Sequence, residues 1–308
     1  MAISDLFGAR VLITGGAGFI GSHLMDGLLL EKAKVRVLDN MSTGRQENIA
    51  HCLDNIQFIS GDIRDLETCQ RACQGVKYVF HQAALGSVPR SIKDPSETIS
   101  VNVAGTTNVF SAARDQGVHR IVYASSSSVY GDSQILPRRE GEEARPLSPY
   151  ALSKIMNEQL ASIFSITYNM QFVGLRYFNV YGPRQDPYGP YAAVIPQFLK
   201  AALEDTPPQI YGDGEQTRDF AFVKDVVKVN LLSAVAPKSV SGKVYNIGSG
   251  KTISINELAK KIGKLAGKIW KPKYLPPRQG DVKTSLADIS ALTQALGFKP
   301  NFNLSNSF

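Results

Sequence analysis

A tyrosine and a lysine four residues apart, Tyr150 and Lys154, follow a run of four serines at Ser125–Ser128. On a helix this spacing places both side chains on one face. An ammonium beside a phenol favours the phenolate and lowers the pKa of Tyr150 toward neutrality, which would make it a general base. A Tyr-x-x-x-Lys pair alone is common on helix surfaces. Its position after a serine run and a cofactor-type turn is rarer and predicts proton-transfer chemistry.

That turn lies near the start of the chain, where the apolar stretch Arg10–Thr14 is followed by Gly15, Gly18 and Gly21. Glycines at this spacing allow a tight turn, a close backbone approach to a pyrophosphate and close packing of the next helix. Asp39 follows a second predicted strand about twenty residues on, where a ribose 2′-hydroxyl would be held. Because a carboxylate repels a 2′-phosphate, the sequence favours NAD over NADP. Arg45 lies past this turn and is expected to face solvent.

Further polar residues follow the next predicted strands. Asp62 and Ile63 would meet the adenine ring, although a strand-end cap explains Asp62 equally well. His81 is interpreted as a packed strand histidine rather than a catalyst, and the small residues after it would let the backbone pass close to a cofactor. Gly86–Ser91 is predicted to be a loop at the carboxyl edge of the sheet, where ligands bind in open α/β sheets. Arg90 in this loop would touch a substrate or cap the following helix.

The elements that must position these residues alternate between strand and helix. Such alternation, with nearly continuous apolar strands, predicts a doubly wound parallel α/β sheet covered on both faces. The candidate strands are Arg10–Thr14, Lys34–Leu38, Ile56–Ser60, Tyr78–Gln82, Arg120–Ser125 and Phe172–Arg176. The candidate helices are Gly21–Leu30, Leu66–Cys73, Pro95–Gln116 and Pro149–Tyr168.

Composition excludes several classes of protein. The chain has 308 residues with 43% hydrophobic and 20% charged residues, which is an ordinary globular balance with room for two lobes. No apolar run reaches membrane-spanning length and no signal peptide is visible, so a cytoplasmic protein is expected.

The three cysteines, Cys52, Cys69 and Cys73, have no partners for a zinc site and are expected to be reduced thiols; no metal is predicted. The net charge of +7 allows nucleic-acid binding, but the basic residues are scattered, and a polyanionic small ligand explains the charge as well.

Together, the glycine turn, Asp39, Asp62-Ile63, the serine run and Tyr150/Lys154 resemble the extended short-chain dehydrogenases, and among them the nucleotide-sugar 4-epimerases. The resemblance covers about residues 10–300 and implies a Rossmann-type NAD-binding fold with a smaller C-terminal α/β lobe for the substrate. The segments most similar to UDP-N-acetylglucosamine 4-epimerases are Gly86–Ile92, Leu175–Pro187, Tyr191–Pro196 and Gly280–Asp288.

The resemblance also implies roles for individual residues. Tyr150 would be the base, Lys154 its partner and Ser126 a hydrogen-bonded relay, while Arg218 and Arg278 would hold the diphosphate. The residues expected around NAD are Gly15, Gly18, Phe19, Ile20, Gly21, Asp39, Asn40, Thr43, Gly44, Asp62, Ile63, Gln82, Ala83, Ala84, Tyr150, Lys154 and Tyr177. The residues expected around the UDP-sugar are Gly86, Ser87, Val88, Arg90, Ser126, Ser127, Tyr150, Asn179, Ala193, Val194, Tyr211, Arg218, Arg278, Asp281 and Ser285.

Two positions narrow the expected substrate and reaction. Ser285 matches the place where a bulky tyrosine in the family admits only unsubstituted hexoses, so serine leaves room for an N-acetyl group. Ser127 and Ser128 stand where the related 4,6-dehydratases carry an Asp-Glu pair, which argues against dehydration. The expected activity is therefore interconversion of UDP-GlcNAc and UDP-GalNAc. The alternatives are 4-epimerisation of UDP-glucose or a UDP-hexuronic acid, and an NAD-binding sensor without catalysis.

The domain organisation expected from the sequence has two interleaved lobes. Residues 1–178 form the NAD-binding lobe, to which 220–235 return, while 179–219 and 236–308 form the UDP-sugar lobe. The resemblance implies a homodimer in which the helices Pro95–Gln116 and Pro149–Tyr168 pair with a second copy as a four-helix bundle. No nucleic-acid or membrane partner is expected.

Overall fold

The computed structural model describes residues 3–188, 192–277 and 282–301. The strands are β1 (Arg10–Thr14), β2 (Lys34–Asp39), β3 (Ile56–Ser60), β4 (Tyr78–His81), β5 (Arg120–Ser126), β6 (Gln171–Tyr177), β7 (Asn179–Tyr181), β8 (Gln209–Tyr211), β9 (Thr217–Arg218), β10 (Phe220–Phe222), β11 (Lys243–Ile247), β12 (Ile253–Ser254) and β13 (Lys273–Leu275). The helices are α1 (Phe19–Leu30), α2 (Leu66–Cys73), α3 (Val88–Lys93), α4 (Pro95–Ile99), α5 (Thr106–Asp115), α6 (Pro149–Tyr168), α7 (Val194–Leu203), α8 (Val223–Val235), α9 (Ile255–Leu265) and α10 (Ser290–Leu296).

Within the described ranges, seven parallel strands form one sheet in the order β11-β6-β5-β4-β1-β2-β3. The strand order reverses between β1 and β4, and ligands of doubly wound sheets bind in the crevice at such a point. The strands bury apolar residues on both faces: α1 and α8 cover one face, and α2, α5 and α6 cover the other. The prediction of a doubly wound α/β sheet is confirmed.

A smaller lobe lies beyond β6. Short strand pairs, β8 with β13 and β9 with β12, pack with α7 and α9 around a separate apolar cluster that includes Phe198, Ile210 and Leu258. The strand pair β7 and β10 carries the chain between the two lobes. The site described below lies between this lobe and the carboxyl edge of the sheet.

Three details differ from the sequence expectations. Gly86–Ser91 is not a loop throughout, because α3 begins at Val88, with the Ser87 hydroxyl accepting a hydrogen bond from the Arg90 N–H at 3.2 Å. The single helix expected over 95–116 is divided by a π-helical segment at Ser100–Gly105. The stretch Lys243–Ile247, expected in the sugar lobe, is the edge strand β11 of the main sheet, since its buried residues Tyr245, Asn246 and Ile247 pack beside β6.

No helix in the described part of the chain is both long enough and apolar enough to cross a membrane.

Candidate active site

A cavity of about 990 Å³ lies at the carboxyl ends of β1, β2, β4, β5 and β6, where the chain enters the smaller lobe. Every residue expected around NAD borders this cavity: Gly15, Gly18, Phe19, Ile20, Gly21, Asp39, Asn40, Thr43, Gly44, Asp62, Ile63, Gln82, Ala83, Ala84, Tyr150, Lys154 and Tyr177. Its size is enough for a dinucleotide and part of a second ligand, since sites for drug-sized ligands occupy about 300–1,000 Å³.

The glycine turn leaves no room for side chains. Gly15 has φ of +72°, and a Cβ there would lie 2.7 Å from the Ala83 nitrogen; a Cβ on Gly21 would lie 2.1 Å from the Gly15 carbonyl oxygen. No side chain caps the N-terminus of α1, so the N–H groups of Phe19 and Ile20 and the positive end of the helix dipole are available to phosphates. The turn therefore fits the pyrophosphate of a dinucleotide.

Asp39 ends β2 and organises the turn that follows. Its two carboxylate oxygens accept hydrogen bonds from the N–H groups of Ala17 at 2.9 Å and Met41 at 2.8 Å. These bonds tie the carboxylate to the glycine turn and leave oxygen lone pairs for a ribose hydroxyl. Arg45 lies at the cavity but forms an ion pair with Asp186 of the other lobe at 2.7 Å, each about half exposed.

Asp62 borders the cavity and is also held by local hydrogen bonds, so its contact with an adenine ring stays a prediction. It accepts hydrogen bonds from the Arg64 side chain and backbone and from the Asn40 amide at 2.8 Å, and these bonds hold its pKa at about 2. It therefore stays ionised and fixes the turn around Arg64 while bordering the cavity.

The catalytic candidates converge on the same cavity. Ser126 ends β5, and Tyr150 lies in the first turn of α6, which begins after Ser148 accepts a hydrogen bond from the Ala151 N–H at 3.1 Å. Tyr150 interacts with the Ser126 hydroxyl, and the Lys154 ammonium lies 5.8 Å from the centre of the Tyr150 ring. Ser126 also accepts a hydrogen bond from the Ser128 N–H at 3.2 Å. The structure therefore brings together the three side chains for which proton transfer is predicted.

The pKa of Tyr150 differs from the expectation. Burial raises it above its ordinary value, and the hydrogen bond with Ser126 only partly opposes this shift. Lys154 is itself buried, and desolvation lowers its pKa to about 8 although Glu158 opposes the shift. The Lys154 ammonium donates a hydrogen bond to the Ala124 carbonyl at 2.9 Å rather than to the phenol. The sequence predicts that Lys154 lowers the Tyr150 pKa toward neutrality, whereas in this structure burial shifts that pKa in the opposite direction.

Tyr177 has a different environment from Tyr150. Its hydroxyl donates to the side-chain Oε1 of Gln82 at 3.1 Å and accepts from the side-chain amide of Asn230 at 2.9 Å, and burial raises its pKa to about 12. Tyr177 therefore lines the cavity as a neutral phenol. Asn230 on α8 is buried at this contact and had no sequence signal, because the three residues are distant in the chain.

His81 lies beneath the cavity and is packed as expected. Its Nδ1 is 2.7 Å from the Thr14 hydroxyl, and its Nε2 is 2.9 Å from the Thr106 hydroxyl. Burial lowers the pKa of His81 to about 3, so the ring is neutral. Thr106 donates to the Asn102 carbonyl at 2.6 Å, so Nε2 is the donor to Thr106 and Nδ1 the acceptor from Thr14.

The substrate candidates are placed less uniformly. Those that border the cavity are Gly86, Ser87, Arg90, Ser126, Ser127, Tyr150, Asn179, Ala193, Val194, Tyr211 and Arg218. Arg218 is 9% exposed on β9, and the Asn179 amide donates to the Asp219 carbonyl at 3.0 Å. Val88 and Ser285 are not among the described residues around the cavity; Ser285 is buried, and its N–H bonds to the Thr217 carbonyl at 3.2 Å. Arg278 and Asp281 lie outside the described residues.

The smaller lobe adds polar residues that the sequence did not single out. Gln185, Gln197, Gln209 and Gln216 border the cavity together with Asp186. The side-chain amides of Gln185, Gln197 and Gln216 donate to main-chain carbonyls; for example, Gln216 donates to the Tyr211 carbonyl at 2.7 Å. Isolated glutamines carry no sequence signal, and only the fold brings them together.

Comparison with known proteins agrees with this geometry. The profile of the NAD dependent epimerase/dehydratase family matches residues 11–248. A putative UDP-glucose 4-epimerase of Methanocaldococcus jannaschii is 40% identical over 296 residues, covering 96% of this chain and 94% of the relative.

Two solved structures have the same fold throughout. UDP-N-acetylglucosamine 4-epimerase of Methanobrevibacter ruminantium, in complex with UDP-N-acetylmuramic acid, is 41% identical with a TM-score of 0.91, covering 96% of this chain and 94% of that one. UDP-glucose 4-epimerase of Thermotoga maritima, with UDP-glucose, is 36% identical with a TM-score of 0.92, covering 97% and 96%.

Proposed function

Since the chain belongs to the NAD dependent epimerase/dehydratase family, we propose that it is a 4-epimerase that interconverts UDP-GlcNAc and UDP-GalNAc. At the coarser level it is an NAD-dependent UDP-sugar 4-epimerase or a related enzyme. The observation that carries the proposal is the convergence of Ser126, Tyr150 and Lys154 on the cavity that also contains the glycine turn.

NAD⁺, when bound in this cavity, would serve as both acceptor and donor of the hydride at the sugar C4, so the net reaction would need no other oxidant. Tyr150 as phenolate takes the proton of the 4-hydroxyl, and Ser126 relays it through their hydrogen bond. After the sugar has turned, Tyr150 would return the proton to the C4 oxygen on the opposite face. The Lys154 ammonium is the positively charged group of this chain that would stabilise the Tyr150 phenolate.

The two ends of the substrate must be held differently. The sugar has to present both faces to one hydride site, so it must turn while the diphosphate stays fixed. Arg218 and, outside the described residues, Arg278 are the proposed diphosphate ligands; a guanidinium suits this role because it donates in a fixed fork. Asn179 and Val194 would lie along the same nucleotide.

The acetamido sugar is favoured by the small residue at 285 and by the 41% identical structure described as a UDP-GlcNAc 4-epimerase. UDP-glucose is the second candidate, since the relatives from M. jannaschii and T. maritima carry that name. Ser285 acts indirectly if it limits the sugar pocket, because it lies behind β9 rather than at the cavity.

The test is incubation of the purified protein with UDP-GlcNAc or UDP-glucose without added NAD, followed by separation of the epimers. We expect UDP-GalNAc to form, and Tyr150→Phe to abolish turnover while keeping bound NAD. A large preference for UDP-glucose would overturn the acetamido assignment, and near-wild-type turnover by Tyr150→Phe would overturn the assignment of the base. No turnover of any UDP-hexose by protein that contains NAD would favour the non-catalytic alternative.

We also propose a homodimer. α6 exposes Leu152, Ile163 and Ile166, which are 44%, 57% and 78% exposed, on a helix expected to pair with a second copy. Light scattering would detect the dimer, and Ile166→Asp should weaken it. A monomer at micromolar concentration would contradict the proposal.

A further inference from the structure

Glu158 occupies a buried junction one helical turn after Lys154 on α6. One of its carboxylate oxygens accepts a hydrogen bond from the Ser125 hydroxyl at 2.5 Å and from Arg176 Nε at 2.9 Å. The other accepts from Arg176 Nη2 at 2.6 Å. The side chains of Glu158 and Arg176 are 13% and 3% exposed, so this is a desolvated, bidentate ion pair.

The junction joins the three elements that carry the reactive groups. Ser125 precedes Ser126 at the end of β5, Arg176 precedes Tyr177 at the end of β6, and α6 carries both Tyr150 and Lys154. In the sheet, Ser126 lies opposite Tyr177 and Ser125 opposite Arg176. A displacement of the Glu158 carboxylate therefore changes the distance between the end of β5 and the catalytic face of α6.

We propose that Glu158 is a positioning residue for the epimerase reaction: its carboxylate fixes Ser126 relative to Tyr150 through Ser125, and its charge keeps Lys154 protonated. This inference rests on the proposed function, since it assigns a role within the same site. Glu158 does not border the cavity, so it acts through its neighbours rather than on the substrate.

The electrostatic part follows from the burial of Lys154, which is 3% exposed. Desolvation lowers the pKa of Lys154 to about 8, and the negative charge of Glu158 opposes this shift. Loss of that charge leaves desolvation unopposed. Lys154 would then lose its proton at a lower pH, and with it the positive charge that favours the Tyr150 phenolate.

Other groups at the junction limit the side effects of a change at Glu158. Arg176 also pairs with Glu143, and its Nη1 donates to the Tyr130 hydroxyl at 3.0 Å. Arg176 thus keeps one carboxylate partner when Glu158 loses its charge. The titratable and charged groups that face the pair are Lys154 on α6, Tyr123 on β5, Tyr130, Glu140 and Glu143 before α6, and Lys243 and Tyr245 on β11 across a cavity of about 820 Å³.

The experiment compares the pH dependence of kcat in wild-type holoenzyme, Glu158→Gln, Glu158→Asp and Glu143→Gln. Glutamine keeps an acceptor for Ser125 but removes the charge. Activity should fall at alkaline pH as Lys154 loses its proton, and we expect this alkaline limb of the kcat profile to move about one pH unit lower in Glu158→Gln. Glu158→Asp retains the charge and should keep the wild-type limb, with a lower kcat from the shorter side chain. Glu143→Gln is the matched control, because Glu143 also pairs with Arg176 but does not contact Ser125; its limb should not move.

A purely structural ion pair predicts a different result. Glu158→Gln would then lower the unfolding midpoint and reduce kcat equally at every pH, and an unmoved alkaline limb overturns the charge role. An equal shift in Glu143→Gln also overturns it, because the effect would then come from Arg176.

The hydrogen bond between Ser125 and Glu158 is tested separately with Ser125→Ala, which leaves the ion pair intact and should lower kcat several-fold without moving the alkaline limb. Unchanged kcat in Ser125→Ala would overturn the positioning of Ser126 through Ser125. This result decides the positioning role even if Glu158→Gln does not fold.

A second measurement separates this inference from the proposed function. Carbon NMR of labelled lysine side chains, assigned with Lys154→Met, reports the pKa of Lys154 without any sugar. We expect a lower Lys154 pKa in Glu158→Gln than in the wild type. If wild-type protein turns over no UDP-sugar, the proposed function fails, while the lysine titration still decides whether Glu158 controls the charge of Lys154.

Discussion

Gly21→Ala should release the cofactor because the turn and α1 are in direct contact at this position. A Cβ on residue 21 would lie 2.1 Å from the Gly15 carbonyl oxygen and 2.8 Å from the Gly16 Cα. Both atoms belong to the backbone, so no side-chain rotation relieves the contact. Ordinary van der Waals separation is about 3.5 Å, so the start of α1 must move by roughly 1 Å or more relative to the glycine turn.

The energetic result combines two opposing effects. Alanine gains up to about 1 kcal/mol of helix propensity over glycine, whereas forced overpacking costs about 1–3 kcal/mol. We therefore expect a net loss of about 1–2 kcal/mol in the free energy of unfolding. NAD affinity should fall at least about tenfold, or 1.4 kcal/mol, since the displaced N–H groups of Phe19 and Ile20 are those available to the pyrophosphate.

Two measurements check this expectation: the NAD content of the purified protein with its dissociation constant, and urea unfolding. Gly27→Ala is the matched control on the same helix, because its Cβ would meet only side-chain atoms of Val227 and Leu231. That variant should keep wild-type NAD affinity whatever its stability. Folded Gly21→Ala protein with wild-type NAD affinity would refute the reasoning.

Two further predictions concern neutral residues beside the cavity. His81 has a folded-state pKa of about 3 against 6.5 in the unfolded chain, so only the unfolded chain gains this proton as the pH falls through that window. Its contribution to stability is complete above pH 6.5 and decreases by about 1.4 kcal/mol per unit below it; urea unfolding of His81→Gln should show a shallower pH dependence, and equal slopes would contradict the assignment. Tyr177→Phe leaves Asn230 without one partner and should cost about 1–3 kcal/mol of stability. Its pH profile of kcat should match the wild type, because a phenol with a pKa near 12 does not titrate in the working range, and an altered profile would show that Tyr177 takes part in proton transfer.

Local patterns were sufficient to predict six of the seven strands of the main sheet and the glycine turn with Asp39. The observed β1, β3, α2 and α6 have the predicted bounds, and all seventeen residues expected around NAD border the cavity. The strands and the turn depend on neighbouring residues in the chain: apolar runs, glycine spacing, and Pro146 and Pro149 at the start of α6. The family resemblance supplied Ser126 and residues around NAD such as Tyr177.

The features that the sequence did not predict depend on contacts between residues far apart in the chain. The π-helical segment in the predicted long helix contains Asn102, whose side chain bonds to the Leu85 backbone and to the Ser153 hydroxyl, partners 17 and 51 residues away. β11 was assigned to the wrong lobe because its short strand pattern does not tell which sheet it joins. Glu158 follows Lys154 by four residues and reads as a surface ion-pair position until the fold places Ser125 and Arg176 against it.

The proposed base is subject to two opposing effects. Tyr150 borders the cavity that would hold the cofactor, but its burial there raises its pKa and disfavours the phenolate. Ser126 opposes that shift with one hydrogen bond, and Lys154 adds a charge that is weakened by its own desolvation. Glu158 stabilises the lysine charge from a position that does not border the cavity. The chain's own groups therefore keep Tyr150 mostly protonated, and bound NAD⁺ would supply a further positive charge that favours the phenolate. If Tyr150 is the base, its phenolate would then form only while the cofactor is bound.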